Sequence, residues 1–121
     1  MKKRVLMGSF AALLMFCAIA NAGNSRDFKV VNSTGYPIKY FSINHSGDNA
    51  WSENELSAVL DDKEDFTMTF ESAEKGCSCN IKVMWADNNT SSIYKDVDLC
   101  KVKILAMKYD RKTDTTTFKT E

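Results

Sequence analysis

From Phe66 to Glu71 the chain reads Phe-Thr-Met-Thr-Phe-Glu, apolar and polar in strict alternation. That is the pattern of a strand with one buried and one solvated face. A period of two recurs along much of the chain after residue 26. Asp27–Asn32 carries Phe28, Val30 and Val31, and the cluster Asn32-Ser33-Thr34-Gly35 then reads as a turn. Pro37 opens the next segment, where a missing N–H does least harm to a ladder. Ile38–Ile43 sets Ile38 and Tyr40 on one side and Lys39, Phe41 and Ile43 on the other. Apolar groups on both faces mark a strand that is central or lies at an interface, which makes Tyr40 and Phe41 candidate binding residues.

In Cys77–Ala86, residues Cys77, Cys79, Ile81, Val83 and Trp85 share one parity and should face the core, with Asn80 and Lys82 in water. Asp87-Asn88-Asn89 is a hairpin turn signal. Ile93–Leu99 follows, with Ile93, Val97 and Leu99 expected inward and Asp96 and Asp98 outward. Val102–Tyr109 and Thr115–Lys119 complete the series. One stretch breaks the period. Trp51, Leu56, Val59 and Leu60 suit one or two turns of helix over residues 51–60, and Ser52 with Glu55 has capping-box spacing. The pattern therefore predicts an all-β fold, a small β-sandwich of about seven antiparallel strands with one short helix near residues 51–60.

Residues 1–22 follow a different logic. Lys2, Lys3 and Arg4 precede an apolar run from Val5 to Ile19, which ends on Ala20-Asn21-Ala22, a small-x-small cleavage pattern. This predicts a signal peptide over 1–22 and a single mature domain over 23–121, periplasmic or secreted. Cys17 follows Phe16 rather than a small residue, which favours cleavage over lipidation. Removing the leader's three bases leaves 13 basic against 16 acidic side chains, a net charge of −3, with Arg26 and Arg111 the remaining arginines. So acidic and arginine-poor a surface argues against nucleic acid or anionic membrane as partner. No second apolar run approaches the roughly 20 residues of a membrane-spanning helix, so no membrane insertion is expected after cleavage.

The expected mature chain holds three cysteines, Cys77, Cys79 and Cys100, an odd number. If a hairpin turns near Asn88, Cys77 and Cys100 lie nearly opposite each other, and Cys79, two residues nearer the turn, is the poorer match. In an oxidising compartment the expected bridge is Cys77–Cys100, a structural one. Cys77-Ser78-Cys79 is not the C-x-x-C of disulfide exchange, and it falls short of four zinc ligands.

Other chemistry is sparse. His45 is the sole histidine, set in the polar run Asn44-His45-Ser46-Gly47-Asp48, and neither a nucleophile elbow nor a phosphate loop exists. It reads as a solvated loop histidine, and a small hydrolase is the least favoured function. Asp48, Glu53 and Glu55 are weak candidates for calcium, with no EF-hand spacing around them. Trp51 beside polar neighbours is a candidate anchor for a partner, or a plug for one end of the sandwich. No cofactor is expected.

Several short motifs resemble a family of small secreted bacterial proteins of no established biochemical role. Asn32-x-Thr34-Gly35-x-x-Ile38 is similar to that family's opening strand and turn. Trp51-Ser52-Glu53-Asn54-Glu55-Leu56 resembles its tryptophan segment, with Ser52 where glycine is usual. Cys77-Ser78-Cys79-Asn80 resembles its cysteine motif, with Asn80 replacing aspartate, and Val97-Asp98-Leu99-Cys100 its closing cysteine. The resemblance covers most of residues 28–105. It implies export and a β fold, favours Cys77 as the partner of Cys100, and transfers no catalytic residue. The expected function is a non-catalytic binding protein, an inhibitor or immunity-type partner of another protein, or a homodimer. The alternative is a calcium-assisted carbohydrate- or surface-binding module.

Overall fold

The computed structural model describes residues 26–70 and 76–121. The expected leader and its cleavage site, Glu71, and the Glu74-Lys75 turn lie outside these residues. Seven strands form among the described residues: β1 Arg26–Asn32, β2 Ile38–His45, β3 Asp65–Phe70, β4 Ser78–Trp85, β5 Ser91–Asp98, β6 Ile104–Asp110 and β7 Thr115–Thr120. Each falls on a segment that the alternation predicts. They make a four-stranded sheet in the order β3-β1-β6-β7 and a three-stranded sheet in the order β2-β4-β5. Both sheets contribute to one core. Phe28, Val30, Leu105 and Met107 come from the first, and Phe41, Ile81, Val83, Trp85, Tyr94 and Val97 from the second. The hydroxyl of Thr116 in β7 donates to the Ile93 carbonyl in β5 at 3.1 Å, linking the sheets along one side.

Three expectations are corrected. First, the strands are not all antiparallel, because β1 and β6 run parallel, Val30 beside Leu105 and Val31 beside Ala106. Alternation reports which face of a strand is buried and is silent on its direction.

Second, no helix forms over residues 51–60. This segment lies instead along the open edge of β2. The amides of Ser52 and Glu55 donate to the carbonyls of Ile43 and Phe41, each at 2.8 Å, and Leu60 exchanges both backbone bonds with Ile38. Ser52, which read as half of a helix cap, serves the strand edge, and so does Asn54. Ser52 Oγ accepts the Ile43 amide and Asn54 Oδ1 accepts the Phe41 amide, both at 3.0 Å. One or two helical turns gain few bonds against the cost of nucleation, whereas β2 offers preformed partners.

Third, two irregularities shift the parity. β2 carries one between Ile38 and Tyr40, so Ile38 and Phe41, three apart, both face the core. In β5 an extra residue stands opposite Asn80. Asp96 takes a positive φ of 55°, and its amide is held by Asn80 Oδ1 at 3.2 Å. Tyr94 therefore turns inward at 1% exposure, while Ile93, expected inside, is 41% exposed.

Two fixtures hold the layers. Cys77 and Cys100 form the disulfide, with Cα atoms 5.1 Å apart, and Cys79 is a free, buried thiol. Asn32 is fully buried and uses its whole amide. Nδ2 donates to the carbonyls of Tyr36 and Leu60, and Oδ1 accepts from the amide and hydroxyl of Thr34. One side chain thus ties the β1–β2 turn to the end of the 51–60 segment. Gly35 supplies the positive φ (89°) this turn needs, and its amide donates to Asp62 Oδ1.

Candidate functional site

β3 is the outermost strand of its sheet and pairs only with β1 among the described strands. Across from its open edge runs the 51–60 segment. Between them lie two cavities. One, of about 370 Å³, is lined by His45, Asp48, Trp51, Glu55, Met68 and Phe70, among others. The other, of about 600 Å³, is lined by Glu55–Leu60 and Glu64–Thr67. Glu55 borders both, so the two form one furrow that follows the whole of β3.

The furrow is acidic. Asp48, Glu55, Glu64 and Asp65 line it, and among the described residues no lysine or arginine does. Glu64 Oε1 accepts the amide of Asp61 and Asp48 Oδ1 that of Ala50, which fixes two of the four carboxylates by local bonds. Apolar surface lies beside the charge. Val59, at 47% exposure, is one of two large hydrophobic side chains left open among the described residues. Trp51 is half-buried, with the Lys82 ammonium 5.7 Å from its ring centroid.

Three of the residues singled out from the sequence, Trp51, Asp48 and Glu55, meet in this furrow. Others do not. Phe41 is fully buried and packs edge-on against Phe66 at 5.2 Å, so it is a core residue that no partner can touch. Tyr40 sits half-buried opposite Met84 and does not line the furrow. Glu53 is exposed and lines neither cavity, so the three calcium candidates do not converge. Among the described residues, the one grouping of ligand-type atoms is Cys77, Asp98 and Cys100, and both of its sulfurs are bonded to each other.

His45 is not in a solvated loop. It ends β2, lies 5.6 Å from the Phe70 ring, and encloses an Nε2 with no hydrogen-bond partner. Ser52, in the same cavity wall, accepts from the Ile43 amide and donates to the Glu53 carbonyl. Its hydroxyl is engaged with backbone rather than with His45. Burial, and then the nearby Asp98 charge, push the Cys79 thiol up to about 11, so at neutral pH it stays protonated and a poor nucleophile.

A second cluster gathers around Arg111, a residue outside the alternating segments. The Arg111 guanidinium stacks over Tyr36 at 3.6 Å and grips Asp87 through Nη1 and Nη2 at 2.9 and 3.0 Å. Trp85 stacks on Tyr109 at 4.6 Å. Arg111 holds the Asp87 carboxyl below its ordinary value, and its own charge is answered there. The furrow's second wall, β3 with Glu64 and Asp65, was legible as a strand but not as part of a site. Its signal was a strand without lysine, proline or bulge to guard an edge.

No family model matches the chain, and no curated protein matches it. Among solved structures, the NMR structure of a protein from Eubacterium rectale is similar, with a TM-score of 0.54 at 9% identity over 80% of this chain and 88% of that one. At that identity the likeness shows the fold alone.

Proposed function

We propose that this chain is an exported, non-catalytic binding protein whose furrow along β3 receives a segment of another protein, in the manner of an inhibitor or immunity-type partner. The furrow carries this reading. A long acidic channel with an open apolar residue and a half-exposed tryptophan at one end is a surface built for recognition. Two further observations support it. The Cys77–Cys100 bridge suits an oxidising compartment. The hydroxyl, imidazole and thiol nearest the furrow are engaged with backbone, without a partner, or buried as a neutral thiol. On this reading the two sheets form a small sandwich, and the chain belongs with the exported β domains its motifs resemble.

Site-specific photo-crosslinking tests the proposal. A photoreactive residue at position 59 or 51, and at exposed position 112 as control, is presented to cell-envelope extract of the source organism. One discrete protein adduct from 59 and 51, absent from 112, is expected. Equal labelling from all three positions would refute the reading.

A further inference from the structure

Every sheet edge must be managed, because unpaired backbone amides and carbonyls invite another strand. The edges in this domain are managed unequally. The open side of β2 is occupied by the 51–60 segment, through backbone bonds from Ser52, Glu55 and Leu60 and side-chain bonds from Ser52 and Asn54. β7, at the other end of the larger sheet, carries an exposed lysine, Lys119. β3 has neither device. Beyond Asp65 at its start it reads Phe66-Thr67-Met68-Thr69-Phe70, without proline, lysine or a break in its register with β1. In an antiparallel pair every second residue turns its N–H and C=O away from its partner, so about three residues of β3 present free backbone groups.

The furrow borders this open edge. A six-residue strand is about 20 Å long, and an added strand lies about 4.8 Å from its neighbour. The furrow runs beside β3 over its full length, from Asp65 to Phe70. Its walls also select the occupant. The carboxylates of Glu55, Glu64 and Asp65, with no lysine or arginine among the described lining residues, repel an acidic strand and attract a basic one. A second copy of this chain, presenting the same carboxylates, would meet itself with like charges. Val59 and Trp51 offer apolar contact on the wall facing β3.

Building on the binding role proposed above, we infer that the occupant is an extended segment of a partner protein, alternating lysine or arginine with apolar residues, which adds to β3 as a new edge strand. Backbone pairing supplies affinity that is indifferent to side chains, and the acidic walls supply the choice of partner.

The test uses a fluorescein-labelled octapeptide alternating lysine and valine, its glutamate–valine counterpart, and two lysine peptides N-methylated at alternate amides in opposite frames. Anisotropy is read with the whole mature protein at low salt. The lysine peptide is expected to bind at least about tenfold tighter than the glutamate peptide. N-methylation in one frame should weaken it at least about tenfold, and in the other frame by less than about twofold, because only one frame faces β3. Glu55→Gln with Asp65→Asn should remove most of the lysine preference, and hydrogen exchange should slow at alternate β3 amides.

Equal binding of the lysine and glutamate peptides, or equal effects of the two methylation frames, would overturn strand addition. If position 59 still crosslinks to one protein while no peptide binds, the strand inference falls and the binding role survives. If neither occurs, both fall. A concentration-dependent dimer abolished by Val59→Arg would make a second copy the occupant and also overturn it.

Discussion

Asn54 is the side chain that makes the most bonds between the 51–60 segment and β2, so its removal tests how firmly that edge is held. Its carboxamide imitates a peptide group. Oδ1 accepts the amide of Phe41 at 3.0 Å, and Nδ2 donates to the carbonyl of Lys39 at 3.3 Å. Oδ1 also takes the amide of Leu56 at 3.0 Å. Asn54→Ala deletes all three bonds. The amide of Leu56 and the carbonyl of Lys39 are in exposed surroundings and can turn to water at little net cost. The Phe41 amide is partly buried beside a core side chain, and an unsatisfied donor of that kind costs about 1–3 kcal/mol. The expected loss is therefore about 2 kcal/mol. Asn54→Asp keeps the acceptor and loses only the long bond to Lys39, so it should cost less than half as much. Urea unfolding of the mature protein measures both, and native-state hydrogen exchange should show the Phe41 amide losing protection in the alanine variant alone. An alanine variant within about 0.5 kcal/mol of the parent, or an aspartate variant as damaged as the alanine one, would show that the edge is not held by this side chain.

Three further outcomes are expected. Replacing Cys77 and Cys100 together with alanine opens a loop of sequence separation 23; the chain-entropy account gives a loss of about 3 kcal/mol, seen in thermal denaturation as a fall in Tm of at least about 10 °C. Cys79 should make folding sensitive to alkali. Its thiol is raised from 9.0 to about 11 by burial and by Asp98, so above about pH 9 the unfolded chain loses this proton first. The contribution of Cys79 is then constant below that pH and declines toward pH 11, by at most about 3 kcal/mol, and Cys79→Ala should remove that part of the slope in melts taken across the range. Finally, Arg111→Met should raise the midpoint at which the Asp87 carboxyl titrates by NMR, because the guanidinium now favours its charged form. In the parent, the stability this pair adds is present at neutral pH and fades as pH falls through the Asp87 carboxyl.

Strand positions and the disulfide pair were legible in the sequence because both rest on local spacing. Phe66–Phe70 alternates, and Cys77 and Cys100 sit at the ends of a hairpin whose turn is marked by Asn88. The failures were matters of what lies beside what. The bulge opposite Asn80 turned Tyr94 inward and Ile93 out, and no residue count along β5 alone announces it. The irregularity after Ile38 buried Phe41, removing it from the binding candidates. Residues 51–60 have an apolar spacing that suits a helix in isolation, but β2 had carbonyls to offer, and tertiary pairing prevailed. Trp51, Asp48 and Glu55 entered the furrow together because they share one short segment. Its other wall depended on β3 being last in its sheet, which is a property of topology.

The sulfur left inside the core also bears on how the chain matures. The three cysteines among the described residues allow three single bridges, and two of them would consume Cys79. We predict that packing of β4 precedes oxidation, so that enclosure of the odd thiol acts as proofreading and leaves only the native pair able to react. Alkylation during refolding reads that order: Cys79 should become resistant to the reagent before the bridge closes. A chain that oxidises first would enter the scrambled forms and need an isomerase to escape them.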